Sequence, residues 1–204
     1  MFTNKAGQIS LMNDEELIQQ VTEKDHQAFK QLVDRYQNLV LNTCYNLIGN
    51  RQDAEDVTQE VFFQVYKSAE KFRRESKLST WLYRIAVNTS LNFIRDNKWS
   101  RWLKSITTLL PNNSKQTTDV PAPESDRPDV TFEEKEQNRM VQKAINSLPV
   151  KQRAALVLHK YEGLPYQEIA GILKCSLSSV ESLIHRAKLN LQKELIQCIK
   201  ENEF

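Results

Sequence analysis

Glycine and proline are scarce, four and six among 204 residues. A barrel or sandwich needs a tight turn roughly every ten residues, and such turns consume these residue types, so an all-β architecture is excluded and helices are expected. Cysteine is thin as well: Cys44, Cys175 and Cys198 lie far apart with no C-x-x-C pair. That excludes a disulfide framework or a zinc ribbon and leaves reduced thiols as the expectation. No stretch approaches the run of about 18 apolar residues that a membrane span requires. The opening MFTNKAGQIS lacks the apolar core of a signal peptide, so a soluble cytoplasmic chain with no direct membrane insertion is expected. His26, His159 and His185 share no ligand spacing, no phosphate-cradling glycine loop occurs, and no acid–base pair stands out from the general charge. No catalysis, metal or cofactor is expected. Neither sign of charge dominates, since 28 basic residues meet 26 acidic ones for a net +2.

What is present is helical periodicity interrupted once. Residues 105–130 read SITTLLPNNSKQTTDVPAPESDRPDV and hold four of the six prolines, Pro111, Pro121, Pro123 and Pro128. Proline removes a backbone donor and pushes its predecessor out of the α region, so the segment reads as a flexible tether. Before it, Asn13 with Glu16 fits a capping box, and a longer helix follows Asp25 and ends near Gly49. Ala54, Val57, Val61, Val65 and Ala69 mark a third helix, and Ser79 is placed to cap a fourth whose inner face carries Leu82, Ile85, Ala86, Thr89 and Phe93. After the tether, Thr131 with Glu134 fits a second capping box, and a further helix runs from Leu148-Pro149 to Glu162-Gly163. Tyr166 to Leu173 and a long helix from Ser178 flank a tight turn. Ile169, Ala170, Leu173, Leu177, Val180, Ile184 and Ala187 point inward across it. A helix-turn-helix fits this pattern, and so does an ordinary helical hairpin. The expected fold is all-α: an N-terminal helix bundle over residues 10–100, a flexible linker over 101–130 and a C-terminal helix-turn-helix domain over 131–204.

Charge is segregated although its total is not. Residues 67–104 hold ten basic residues against three acids, with Phe72, Trp81, Tyr83, Phe93, Trp99 and Trp102 interleaved. Cations that track phosphates beside aromatic faces that accept unstacked bases suit single-stranded nucleic acid. Arg84, Asn88, Asn92 and Arg95 recur as a polar stripe opposite the core face of the fourth helix, where amides can bond base edges. The same residues also fit a solvated face, with Trp81 in the core. Asp53, Asp56, Gln59 and Glu60 step along the third helix. A face so acidic beside a basic segment points away from DNA, either to solvent or to a basic protein partner.

These residues resemble a family. D-A-E-D-V-T-Q-E-V-F at 53–62 and S-T-W-L-Y-R-I-A-V-N at 79–88 look like the core-binding and −10-reading segments of the bacterial sigma-70 family. L-P-V-K-Q-R at 148–153, E-G-L-P-Y-Q-E-I-A at 162–170 and S-V-E-S-L-I-H-R-A-K at 179–188 resemble its −35-reading domain. Length and order fit the compact extracytoplasmic-function type. The resemblance implies a sigma factor that docks Asp53, Asp56, Gln59 and Glu60 on the β′ clamp coiled coil of core RNA polymerase. It implies that the loop from Phe72 to Leu78, with Arg73, Arg74 and Lys77, joins Trp81, Arg84, Asn88, Asn92 and Arg95 in reading and melting the −10 element. It further implies that Ser178, Ser179, Glu181, Ser182, His185, Arg186 and Lys188 face the −35 major groove, and that an anti-sigma factor restrains the protein. Many relatives carry a basic residue after the recognition-helix valine, whereas Val180 is followed by Glu181, which can accept from cytosine N4 but cannot bond phosphate. A free-standing helix-turn-helix repressor is the alternative; it gives the basic-aromatic unit and the acidic helix no task.

Overall fold

The computed structural model describes residues 12–108 and 132–202, and the side chains within 12–97, 139–198 and Lys200. Among the described residues are eight α-helices, one short 3-10 turn and no strand: α1 Asp14–Thr22, α2 His26–Ile48, α3 Arg51–Ser68, α4 Leu78–Thr108, α5 Phe132–Ser147, α6 Val150–Lys160, α7 Tyr166–Leu173 and α8 Leu177–Asn202. The first three starts are fixed by side-chain caps. Asn13 accepts from the Glu16 amide at 2.9 Å while its own amide donates back to Glu16, so the capping box forms as expected. Asp25 accepts from the amides of Gln27 and Ala28 at 2.7 and 2.9 Å, and Asn50 from that of Asp53 at 3.0 Å. Gly49 ends α2 at φ 80°, a left-handed value that glycine adopts without strain. The expected cap at Ser79 does not form, because α4 begins at Leu78 and places Ser79 in its first turn. The second expected capping box, at Thr131, lies outside the described residues.

Helices α1 to α4 enclose one core. Leu17, Val21, Leu32, Val40, Val61, Val65 and Leu82 are fully buried there, each stabilising the fold by about 1.5–3 kcal/mol through apolar burial. Asp14 ties α1 across α2, accepting from Arg35 at 2.9 Å and from the Tyr36 hydroxyl at 2.5 Å. The α4 helix runs on to Thr108, through the first residues of the segment expected to be tether; residues 109–131 lie outside the described part.

In the C-terminal half, α6, α7 and α8 form the helix-turn-helix. Lys174 turns the chain at φ 51°, and the Ser176 hydroxyl accepts from the Ser179 amide at 3.2 Å to open α8. Ile169, Val180, Ile184 and Ala187 are buried as expected, whereas Leu177 is 41% exposed because it sits at the open first position of α8. The two halves do not stand apart. Leu47, Tyr83 and Val87 of the N-terminal half share one buried cluster with Ala154, Val157, Leu158, Ile169, Ile172, Val180 and Ile184.

Candidate nucleic-acid and polymerase interface

Four expected docking residues sit on α3, whose apolar side (Ala54, Val57, Val61, Val65) is buried against the bundle. Asp56, Gln59 and Glu60 are exposed on the opposite side, and Asp53 is half-buried beside its cap. Three- and four-residue steps bring them onto one surface. Phe63, one turn beyond Glu60, is 51% exposed, with the Lys67 ammonium 3.9 Å over its ring. Sequence patterning missed Phe63; its spacing of three from Glu60 and seven from Asp56 was the available signal. An aromatic ring amid carboxylates is a surface that can seat both an apolar side chain and a cation.

The expected −10 residues divide. Arg73, Arg74 and Lys77 are exposed in the loop before α4, where Arg74 takes a left-handed φ of 59° and donates to Gln19 at 3.1 Å. Asn88, Asn92 and Arg95 are exposed along α4, with Arg95 bonded to Asp96 at 3.2 Å. Trp81 departs from the expectation of a base-stacking platform. It is only 9% exposed and packs against Phe72 with ring centroids 5.4 Å apart, so its face is spent on the bundle core. Arg84 is half-buried, its guanidinium turned towards Gly171 of α7. The side chains of Trp99 and Trp102 lie outside the described set.

On α8, Ser178, Glu181, Ser182, His185, Arg186 and Lys188 are exposed and Ser179 is half-buried. The residues that the resemblance assigns to the −35 groove thus lie on the side of α8 away from the buried Val180, Ile184 and Ala187. A cavity of about 440 Å³ opens beside it, lined by Ser178, Ser179, Ser182 and Arg186 together with Lys151 and Lys174. Its remaining wall includes Asn88 and Leu91 of α4, so one member of the expected −10 stripe faces the expected −35 helix. Among the described residues no group of three His, Cys, Asp or Glu side chains is arranged to hold a metal ion.

Polar contacts across the halves were not legible in the sequence. Glu162 accepts from the Tyr83 hydroxyl at 2.8 Å and faces that of Thr43 at 3.1 Å, whose one proton is shared with the Leu39 carbonyl at 2.8 Å. Glu168 accepts from Thr80 at 2.9 Å. Burial first, then the Glu162 carboxylate, holds the Tyr83 phenol well above its ordinary range. Arg153, 4% exposed, donates to the Leu47 carbonyl at 2.7 Å and to the Asn146 side chain at 3.2 Å, and its guanidinium also reaches the Asn146 carbonyl. The arginine of L-P-V-K-Q-R thus caps the C-terminal ends of α2 and α5 and is not offered to DNA.

The Sigma-70 region 2 family profile matches residues 32–100, and the Sigma-70 region 4 profile matches residues 138–191. The ECF RNA polymerase sigma-E factor of Haemophilus influenzae is 34% identical over 184 residues, covering 90% of this chain and 96% of the relative. The chain belongs to the ECF sigma factors. SigW of Bacillus subtilis, another member, is 34% identical over 87% of this sigma factor and 94% of its own length. Solved structures share the fold: CnrH in complex with the cytosolic domain of CnrY has a TM-score of 0.62 at 23% identity, covering 90% of this chain and 97% of CnrH. The sigma factor RpoE of Bartonella quintana, in complex with the anti-sigma factor NepR, has a TM-score of 0.56 at 22% identity, covering 82% and 96%. No described helix of this sigma factor is long and apolar enough to cross a membrane.

Proposed function

We propose that this chain binds core RNA polymerase and directs promoter-specific initiation, acting in the cytoplasm with no catalysis of its own. The exposed α3 face with Asp56, Gln59, Glu60 and Phe63 docks on the β′ clamp coiled coil. The loop cations Arg73, Arg74 and Lys77, with Arg84, Asn88, Asn92 and Arg95, hold the melted −10 strand. Their charge meets phosphate, and the two amides bond the edges of unstacked bases. The face of α8 from Ser178 to Lys188 enters the −35 major groove, with Glu181 set to accept from cytosine.

The observation that carries this reading is the order of two separate matches, region 2 over the acidic and basic helices and region 4 over the helix-turn-helix. A repressor built on the second half alone would leave residues 32–100 without a task. Control by an anti-sigma factor belongs to the same proposal, supported by RpoE, which is described in complex with an anti-sigma factor. Run-off transcription on genomic promoter fragments tests it. Core polymerase with this protein initiates from a subset of fragments, and neither component does so alone. Tight, specific duplex binding by the isolated protein, with no transcription when polymerase is added, would refute the reading.

A further inference from the structure

The loop from Phe72 to Leu78, which carries three of the proposed −10 cations, is held to the bundle at three points. Phe72 packs against Trp81 at one end, with ring centroids 5.4 Å apart, and Leu78 is 2% exposed at the other. Between them Arg73, Glu75, Ser76 and Lys77 are exposed and make no side-chain hydrogen bond among the described residues, whereas the Arg74 guanidinium donates to the Gln19 side chain at 3.1 Å. Arg74 needs such a partner. Its φ of 59° lies in the left-handed region, which costs free energy for a residue with a Cβ, so the shape persists only where contacts offset the strain. Gln19 suits the task because α1 is firmly seated. Leu17 and Val21 on either side of it are fully buried, Asn13 caps the helix start, and Asp14 clamps it to α2 through Arg35 and Tyr36. The turn after α1 adds a second strut. Lys24, left-handed at φ 65°, donates to the Tyr66 carbonyl at 3.3 Å and lies 4.7 Å over the Tyr66 ring, near the end of α3 that leads into the loop. The region 2 match begins at residue 32, so α1 lies outside it and carries no assigned task.

We propose that Gln19 is a positioning residue for the −10 loop: by bonding Arg74 it fixes the left-handed turn, and so sets how Arg73 and Lys77 stand to the melted strand and which base the loop accepts. The inference rests on the functional reading above. Gln19 occupies one of the five N–H groups of the guanidinium, so Arg74 still offers the others to phosphate. Phosphate contacts fix the register of a strand, and base contacts carry its sequence. A loop freed from Gln19 samples several shapes, holds the strand in more than one register and discriminates less between bases. The acceptor oxygen is what matters, so a carboxylate at position 19 serves as well as an amide. Because the bond is exposed, its loss changes selectivity a few-fold and does not abolish initiation.

The test compares Gln19→Met, which keeps the side-chain volume and removes the acceptor, with Gln19→Glu, which keeps an acceptor for the guanidinium. Gln37→Met makes the same change as the first at an exposed site on α2. In the free full chain, trypsin cuts after Arg73 and Lys77 about five-fold faster in Gln19→Met than in wild type or Gln37→Met, with circular dichroism unchanged. Gln19→Glu is cut at the wild-type rate. In holoenzyme, run-off transcription is compared on a fragment from which wild type initiates and on its single-base variants across the −10 element. Gln19→Met lowers the ratio of original to variant transcription about five-fold at one or two adjacent positions, and Gln19→Glu retains it. The ratio cancels any uniform change in phosphate affinity, including that from the added charge of glutamate. In an Arg74→Ala background Gln19→Met changes nothing further. Equal cleavage of Gln19→Met and wild type, or a loss of selectivity by Gln19→Glu as large as that by methionine, overturns the positioning role. So does an effect that is uniform across the promoter variants, since that is a loss of affinity or folding and not of loop shape. Faster cleavage of Gln19→Met, with wild-type holoenzyme silent on every genomic fragment, instead retains the brace and overturns its promoter role together with the functional reading beneath it.

Discussion

Replacing Arg153 with methionine tests how the two halves are joined. Methionine preserves much of the stem volume and deletes the guanidinium, which donates to the Leu47 carbonyl at 2.7 Å and to Asn146 through both its side chain and its backbone. Hydrogen bonds with one charged partner contribute about 1.5–3 kcal/mol each, so two well-formed ones amount to roughly 3–6 kcal/mol. Against this, a buried cation carries a desolvation penalty, which burial expresses here by lowering the Arg153 pKa, and an apolar replacement escapes it. The net expected loss is about 2–4 kcal/mol. Urea unfolding followed by far-ultraviolet circular dichroism measures it, with a fall in Tm of several degrees or more in parallel. Arg153→Lys recovers only part of the loss, because an ammonium is a point charge and cannot fork between carbonyls of two helices. A loss under about 0.5 kcal/mol for Arg153→Met, or full recovery by lysine, would refute the capping role.

Reversing charge with Asp56→Lys and Glu60→Lys is expected to weaken core polymerase binding at least ten-fold with helical content unchanged; equal affinity in a pull-down titration removes both from the docking face. Alanine at Asn88 and Asn92 should impair open-complex formation, measured by permanganate footprinting, more than it impairs polymerase affinity; an equal effect on both makes the stripe structural. At alkaline pH the sign follows from Tyr36 and Tyr83, whose phenols are raised well above 10 in the fold, by burial first and then by Asp14 and Glu162 respectively. The unfolded chain ionises near pH 10 while these two cannot. Their stabilisation is complete below that pH and falls by about 1.4 kcal/mol per pH unit per tyrosine above it. Tyr36→Phe/Tyr83→Phe should flatten this slope in urea titrations between pH 9 and 11, and an unchanged slope would contradict it.

Helices were legible wherever burial is one-sided. The apolar steps of α2 and α3 each follow one main buried stripe, and periodicity finds such a stripe without knowing its partner, whereas α4 is buried on a second side too, through Tyr83 and Val87. Asn13 and Asp25 were equally readable as a capping-box residue and a helix start, because capping is a local bond between residues two or three apart. Trp81 was ambiguous, since an aromatic ring in a basic segment fits either a core or a stacking platform, and only the position of Phe72 decides. The joining of the halves was not legible. Thr43 and Glu162 are 119 positions apart, and threonine and glutamate are ordinary surface residues whose types announce no partner. Tyr83 is half of that contact and half of the core, so its pattern satisfied the simpler account first. The acidic face of α3 shows the converse case: spacing alone identified the surface, and the family match adds the partner for which it is proposed.

The shared cluster also sets a clock on synthesis. Leu47, Tyr83 and Val87 emerge from the ribosome well before Val180 and Ile184, which complete their cover. Translation at roughly 5–20 residues per second leaves about 5–20 seconds between Val87 and Val180. The N-terminal bundle has all of its own helices by then and can fold, yet it displays an unfinished apolar flank throughout that interval. A stop codon between Thr108 and Phe132 would leave that flank bare for the life of the fragment.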